Sequence, residues 1–113
     1  MQHKRGDSFD LLANIPSSLG DGYFVGWVVS AQIRTLQYDK FIAALDCEWV
    51  DNDTTRILRV RKLKTDDWAV GPAVMDIQFT DTRKTPPYVI STSNVAVDIV
   101  RDVTPPLGIT FPI

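Results

Sequence analysis

The chain has 113 residues, of which 44% are apolar and 23% charged, with a net charge of −2 and a single cysteine. These are the values of one folded domain with its own core, and they argue against a disordered chain. They give no support to general nucleic-acid binding, and one cysteine excludes an intrachain disulfide. Thirteen of the acidic residues are Asp and only Glu48 is Glu, which favours turns and strand ends over helices.

Apolar and polar residues alternate with a period of two in stretch after stretch, the mark of strands with one buried and one wet face. Ser8 to Ala13 reads as the first, with Phe9, Leu11 and Ala13 on one side. A turn-rich connection through Pro16 and Gly20-Asp21-Gly22 follows. Tyr23 to Thr35 is then expected as one long strand with Val25, Trp27, Val29, Ala31 and Ile33 inward. Tyr38-Asp39-Lys40 forms a short turn. Phe41 to Val50 shows the cleanest pattern, with Phe41, Ala43, Leu45, Cys47 and Trp49 inward and only Ile42 and Val50 out of step. Asp51-Asn52-Asp53 is a hairpin loop, and Thr55 to Leu63 carries Leu58 and Val60 as its apolar pair. Thr65 is placed as the cap of one short helical turn that Gly71-Pro72 ends. Ala73 to Thr80, Tyr88 to Ser93 and Val95 to Val103 complete the strands.

Seven short strands with turns between them predict an all-β protein, an antiparallel immunoglobulin-like β-sandwich, with a partly closed barrel as the rival architecture. The sandwich domain spans 1–104 and an extended, Pro-rich, apolar C-terminal tail spans 105–113. The tail's Leu107, Ile109, Phe111 and Ile113 alternate with other residues. Such an arm either folds back on its own domain or docks on a neighbour by adding to a sheet edge.

Candidate chemistry is sparse. His3 stands alone in what reads as a loose, solvated N-terminus, short of the partners a general base or a zinc site needs. Arg5-Gly6-Asp7 spells an adhesive tripeptide, but Gly6 is read as supplying backbone freedom before the first strand. Asp51-Asn52-Asp53 lacks the glycine and glutamate of an EF-hand loop, since Arg56 and Lys62 occupy those places. Arg56, Arg59, Arg61, Lys62 and Lys64 lie on both faces of their strand, which reads as a charged edge that blocks unwanted pairing. Trp27 and Trp49 are assigned to the core. Trp68 and Tyr88 are the loop aromatics able to meet a ligand, Trp68 otherwise plugging one end of the sandwich. No cofactor, metal or catalytic set is expected, and neither is an apolar run of bilayer or signal-peptide length.

Lys4-Arg5-Gly6-Asp7, Gly26-Trp27 opening into Ser30-Ala31-Gln32-Ile33-Arg34, the Trp68…Gly71…Met75-Asp76-Ile77-Gln78-Phe79 block and Val100-Arg101-Asp102-Val103-Thr104 resemble small phage and prophage structural proteins. These are β-sandwich modules of tail and baseplate regions, including the N-terminal domains of baseplate upper proteins. The resemblance implies a non-enzymatic structural or assembly module. It would work through protein–protein contacts as a homo-oligomer and with other phage structural proteins, with neither nucleic acid nor membrane as partner. Its place would be the virion or the host cytoplasm during assembly. The alternative class is a carbohydrate- or receptor-binding module.

Overall fold

Eight strands form a single mixed sheet in a computed structural model that describes residues 1–101. They are β1 (Gln2–Lys4), β2 (Phe9–Asn14), β3 (Val28–Thr35), β4 (Phe41–Trp49), β5 (Ile57–Lys62), β6 (Gly71–Asp81), β7 (Tyr88–Ser91) and β8 (Val95–Val100). The hydrogen-bonded path runs β1-β8-β6-β3-β4-β5-β2, with β7 attached to β6 beside β8. The all-β expectation holds. The immunoglobulin-like arrangement of two stacked antiparallel sheets is not what the pairing describes. One path curls nearly into a barrel, and its β1–β8 pair is parallel.

Two strands do the curling. β4 pairs with β3 through Phe41–Leu45 and with β5 through Asp46–Trp49, so the sheet changes neighbours within one strand. β6, the longest strand, lies along all of β3 on one side; on the other it meets β8 with its first half and β7 with its last four residues. Its inward residues Ala73, Met75, Ile77 and Phe79 are all buried, as the period of two requires. Around them Ile33, Leu58, Val60, Val97 and Ile99 are completely enclosed. Each such side chain contributes roughly 1.5–3 kcal/mol when fully buried.

Three local departures from strict alternation matter. The register between β3 and β4 shifts between Ile33 and Arg34, so that Ile33 faces Ala43 while Arg34 faces Phe41. This bulge leaves Ile42 as the extra residue and turns it toward the core, while Phe41, expected inside, is 56% exposed. The expected long strand from Tyr23 begins only at Val28, because residues 21–26 form successive turns. Gly22 and Gly26 adopt φ of +76° and +83° there, a conformation glycine takes without strain. The turns reverse the parity: Phe24 becomes buried and Val25 exposed. Finally, Gln2–Lys4 is a strand and not a loose end, held by the ladder Gln2–Asp98, His3–Ile99 and Lys4–Val100.

β5 lies between β4 and β2, so its basic residues do not guard an edge. Arg61 faces Asp46 on one side and Asp10 on the other, and Arg59 faces Glu48 and Leu12. Arg59 also reaches Asp10 with a two-pronged contact, Nη2 to Oδ2 at 2.6 Å and Nε to Oδ1 at 3.1 Å. That hydrogen bond holds the Asp10 carboxyl below its ordinary value. On the inward parity, Arg56 donates to the carbonyls of Ile15 and Leu19 and pairs with Asp21 at 3.5 Å, tying the long β2–β3 connection to the body.

Candidate functional site

The two ends of the barrel differ in chemistry. At one end, β1 and β2 leave the sheet open and a buried polar knot spans the gap. Thr65, placed by sequence as a helix cap, is fully buried at the start of a single turn, with Trp68 N–H donating to its carbonyl at 3.1 Å. Its hydroxyl donates to the Asp7 carbonyl (2.6 Å), accepts from the Gly6 N–H (2.9 Å) and meets His3 Nε2 at 3.2 Å. A hydroxyl has one proton. Since that proton goes to Asp7, His3 Nε2 carries its own and donates. The Arg5-Gly6-Asp7 corner is therefore a structural clasp.

His3 is only 9% exposed and packs at 5.2 Å from Phe9 and 5.3 Å from Trp68. Trp68 is 2% exposed, so its indole offers no open face to a sugar ring, and the ligand role weighed for it has no surface to work from. Burial lowers the His3 pKa below the ordinary 6.5, against an opposing pull from Asp7. A lowered histidine pKa means the unfolded chain binds more protons, so stability is present above pH 6.5 and is lost as pH falls below it. The lowered carboxyls of Asp10 and Asp81 act only near and below 3.8. The melting temperature should therefore drop between pH 7.5 and 5.5, and His3→Gln, which keeps a donor toward Thr65, should flatten that interval in a pH series of thermal melts.

The opposite end is aromatic. Phe24 closes the barrel from the β2–β3 connection, stacking on Phe79 at 4.3 Å with Trp49 at 6.0 Å and meeting Trp27 edge-on at 5.1 Å. Over this plug lie Tyr23, 5.7 Å from Trp27, and Tyr88, 6.0 Å from Trp27. Tyr88, the second ligand candidate, is half-exposed and carries the Lys84 ammonium over its ring at 5.0 Å. Beside it the buried Asp81 carboxylate accepts from Arg83 Nε at 2.9 Å and Nη2 at 3.3 Å, which lowers the Asp81 pKa. Around the corner Val28 and Val89 flank Thr80 in register, both exposed. Val25 is exposed as well. Among the described residues β7 pairs only with β6, which leaves its outer edge open.

A third surface is polar. The outer side of β3 and β6 forms a groove of about 390 Å³ lined by Ser30, Gln32, Arg34, Asp76, Gln78 and Asn94. Ser30 faces Gln78, and Gln32 faces Asp76, across the strand pair. Arg34 is held at one end by its bond to the Asp39 carbonyl (3.0 Å) and lies 5.9 Å over the Phe41 ring.

The remaining candidates resolve locally. Asp51 spends its carboxylate on the Asp53 N–H at 2.9 Å, an Asx turn, and no group of three or more His, Cys, Asp or Glu gathers among the described residues. Cys47 is half-buried with its thiol pushed up to about 11 by burial, so it is protonated at neutral pH. Trp27 and Trp49 pack against the core as expected. Leu107, Ile109, Phe111 and Ile113 lie outside the described residues. No helix among the described residues is long and apolar enough to cross a membrane.

No family model and no curated protein matches this chain.

Proposed function

We propose that the chain is a non-enzymatic assembly module that works by contact with further copies of itself and with other structural proteins of a phage or prophage particle. The observation that carries the contact reading is the aromatic end. Half-exposed Tyr23 and Tyr88, the partly buried Trp27 and exposed Val25, Val28 and Val89 surround a short strand whose outer edge is open among the described residues. Tyrosine and tryptophan beside exposed arginine and lysine form the composition that concentrates binding energy at protein interfaces. An open edge supplies backbone groups for a strand from a neighbour. The particle setting rests on the resemblance of the blocks around Gly26-Trp27 and Met75–Phe79 to tail and baseplate modules. The docking arm expected at 105–113 lies outside the described residues, and its removal is a separate arm of the test.

Light scattering coupled to size exclusion tests this reading. The unaltered protein should elute as an oligomer across the micromolar range. A Tyr88→Asp, Val89→Asp double variant, or removal of residues 105–113, should shift it to the mass of one chain with its circular dichroism unchanged. A single-chain mass for the unaltered protein would overturn the homo-oligomeric reading.

A further inference from the structure

We propose that β2 is a second contact strand, which pairs antiparallel with β2 of another copy of this chain about a two-fold axis through Leu12. The inference is independent of the aromatic end, from which it uses no residue.

β2 is an edge: among the described residues it pairs only with β5. Antiparallel strands bond to a given neighbour at alternate residues. The parity is fixed here by the Ile15 N–H, which donates to the Arg56 carbonyl at 2.8 Å, one step beyond the Asn14–Ile57 pair. Phe9, Leu11 and Ala13 share that parity and bond to β5. Asp10, Leu12 and Asn14 therefore turn their backbone N–H and C=O groups away from β5. Among the described residues these groups meet no donor or acceptor, and all three residues are exposed. A row of free strand backbone is matched in full only by another strand.

The edge carries none of the usual guards. Phe9–Asn14 holds no Lys and no Pro, and its register with β5 runs without a bulge. Its one charge, Asp10, is held by the two-pronged contact with Arg59. On the outer face Leu12 is 60% exposed and Val50 62% exposed, and the two line one shallow depression.

The strand also matches itself. With a two-fold axis normal to the sheet at Leu12, the free backbone groups of Asp10, Leu12 and Asn14 all face free groups of the second copy. Leu12 lies opposite Leu12, which extends the apolar patch across the axis. Each Asp10 lies opposite Asn14, a carboxylate beside an amide donor. On the inner face Leu11 lies opposite Ala13, a large side chain against a small one. Moving the axis to Leu11 or Ala13 would set Leu12 against Asp10 or Asn14, and moving it to Asp10 would oppose two carboxylates. This self-match selects a second copy over an unrelated strand. One strand from each copy makes a small contact beside a standard interface. It is the weaker of the two joints, engaged above the micromolar range or where the aromatic end has already gathered copies.

The test is disulfide trapping in the full chain carrying Cys47→Ser, read on non-reducing gels. Opposed residues of a bonded antiparallel pair have Cα atoms about 5.5 Å apart, within reach of a disulfide. Val50 is as exposed as Leu12 but lies two strands in from the edge. Leu12→Cys should therefore link about tenfold faster than Val50→Cys at the same protein concentration, because pairing raises the effective concentration of its thiols alone. Asp10→Cys and Asn14→Cys should link when mixed and not when alone. Tyr88→Asp, Val89→Asp in the same chain should leave these results in place, which separates this contact from the aromatic end. In that double variant without added cysteines, the Leu12 amide should exchange more slowly as concentration rises, while the Leu11 amide, already bonded to β5, should not change. Leu12→Lys should abolish the dependence with thermal stability retained. Linking of Leu12→Cys no faster than of Val50→Cys, or of Asp10→Cys alone as fast as in the mixture, would overturn the proposal.

Discussion

Phe24→Ala is expected to cost about 3–5 kcal/mol, the range for deleting a buried aromatic ring, and to lower the melting temperature by roughly 15 °C. The ring is 2% exposed and touches aromatic partners on three sides. Its backbone is pinned too: Phe24 N–H donates to the buried Thr55 hydroxyl at 3.3 Å, and Gly22 N–H donates to the Thr54 carbonyl at 2.7 Å. Thr55 holds a φ of +48°, an unusual conformation for a β-branched residue. The strain accompanies the bond it makes to the plug. With the ring gone, Phe79 and Trp49 would face a void that this pinned backbone cannot collapse into. Phe24→Leu, which keeps most of the volume, should lose much less. Were Phe24 the outward residue of a long strand from Tyr23, both substitutions would fall within about 0.5 kcal/mol. Chemical denaturation of the three proteins distinguishes the two cases.

Thr65→Val should destabilise by about 2–3 kcal/mol, a fall of roughly 10 °C, although it preserves side-chain shape and adds apolar surface. The reason is what it leaves behind. The Gly6 N–H, the Asp7 carbonyl and His3 Nε2 all meet at the one hydroxyl, and each would lose its partner. A double-mutant cycle with His3→Phe should show a coupling energy well above the error of the measurement, because the two residues share a hydrogen bond. Additive losses would mean that the knot is not a unit.

The inner stripes were legible in the sequence because burial imposes a period of two that neighbours cannot hide. Leu58 with Val60, and Met75 with Ile77 and Phe79, could be assigned inward without knowing what they pair with, and they are buried. Pairing partners leave no such trace. Periodicity alone could not separate a curled single path from two stacked sheets, since both bury the same stripes. His3 misled because a lone histidine near a terminus looks solvated; its burial depends on Trp68 and Thr65, more than 60 residues away, and on a parallel ladder to β8. Phe41 and Ile42 exchanged places because a bulge shifts parity by one, and bulges follow from backbone pairing more than from residue type. Phe24 had a signal that was present but outweighed: glycines at 20, 22 and 26 punctuate a segment that hydropathy alone reads as strand. The polar groove was invisible in one dimension because its rows are assembled from β3 and β6, some 45 residues apart in the chain.

The parallel ladder between β1 and β8 has a consequence for how the molecule comes into being. It joins residues 2–4 to residues 98–100, nearly the whole described chain apart. The β3–β4 and β4–β5 hairpins close over short loops, whereas this pairing must gather almost everything between its partners, and loop closure grows dearer with length. On a ribosome the first strand emerges long before its partner exists. Its own ladder cannot form until β8 has been synthesised, whereas β2 with Phe9 needs only β5. The β1–β8 ladder is thus among the last pairings to form, long after the hairpins between its two strands have closed.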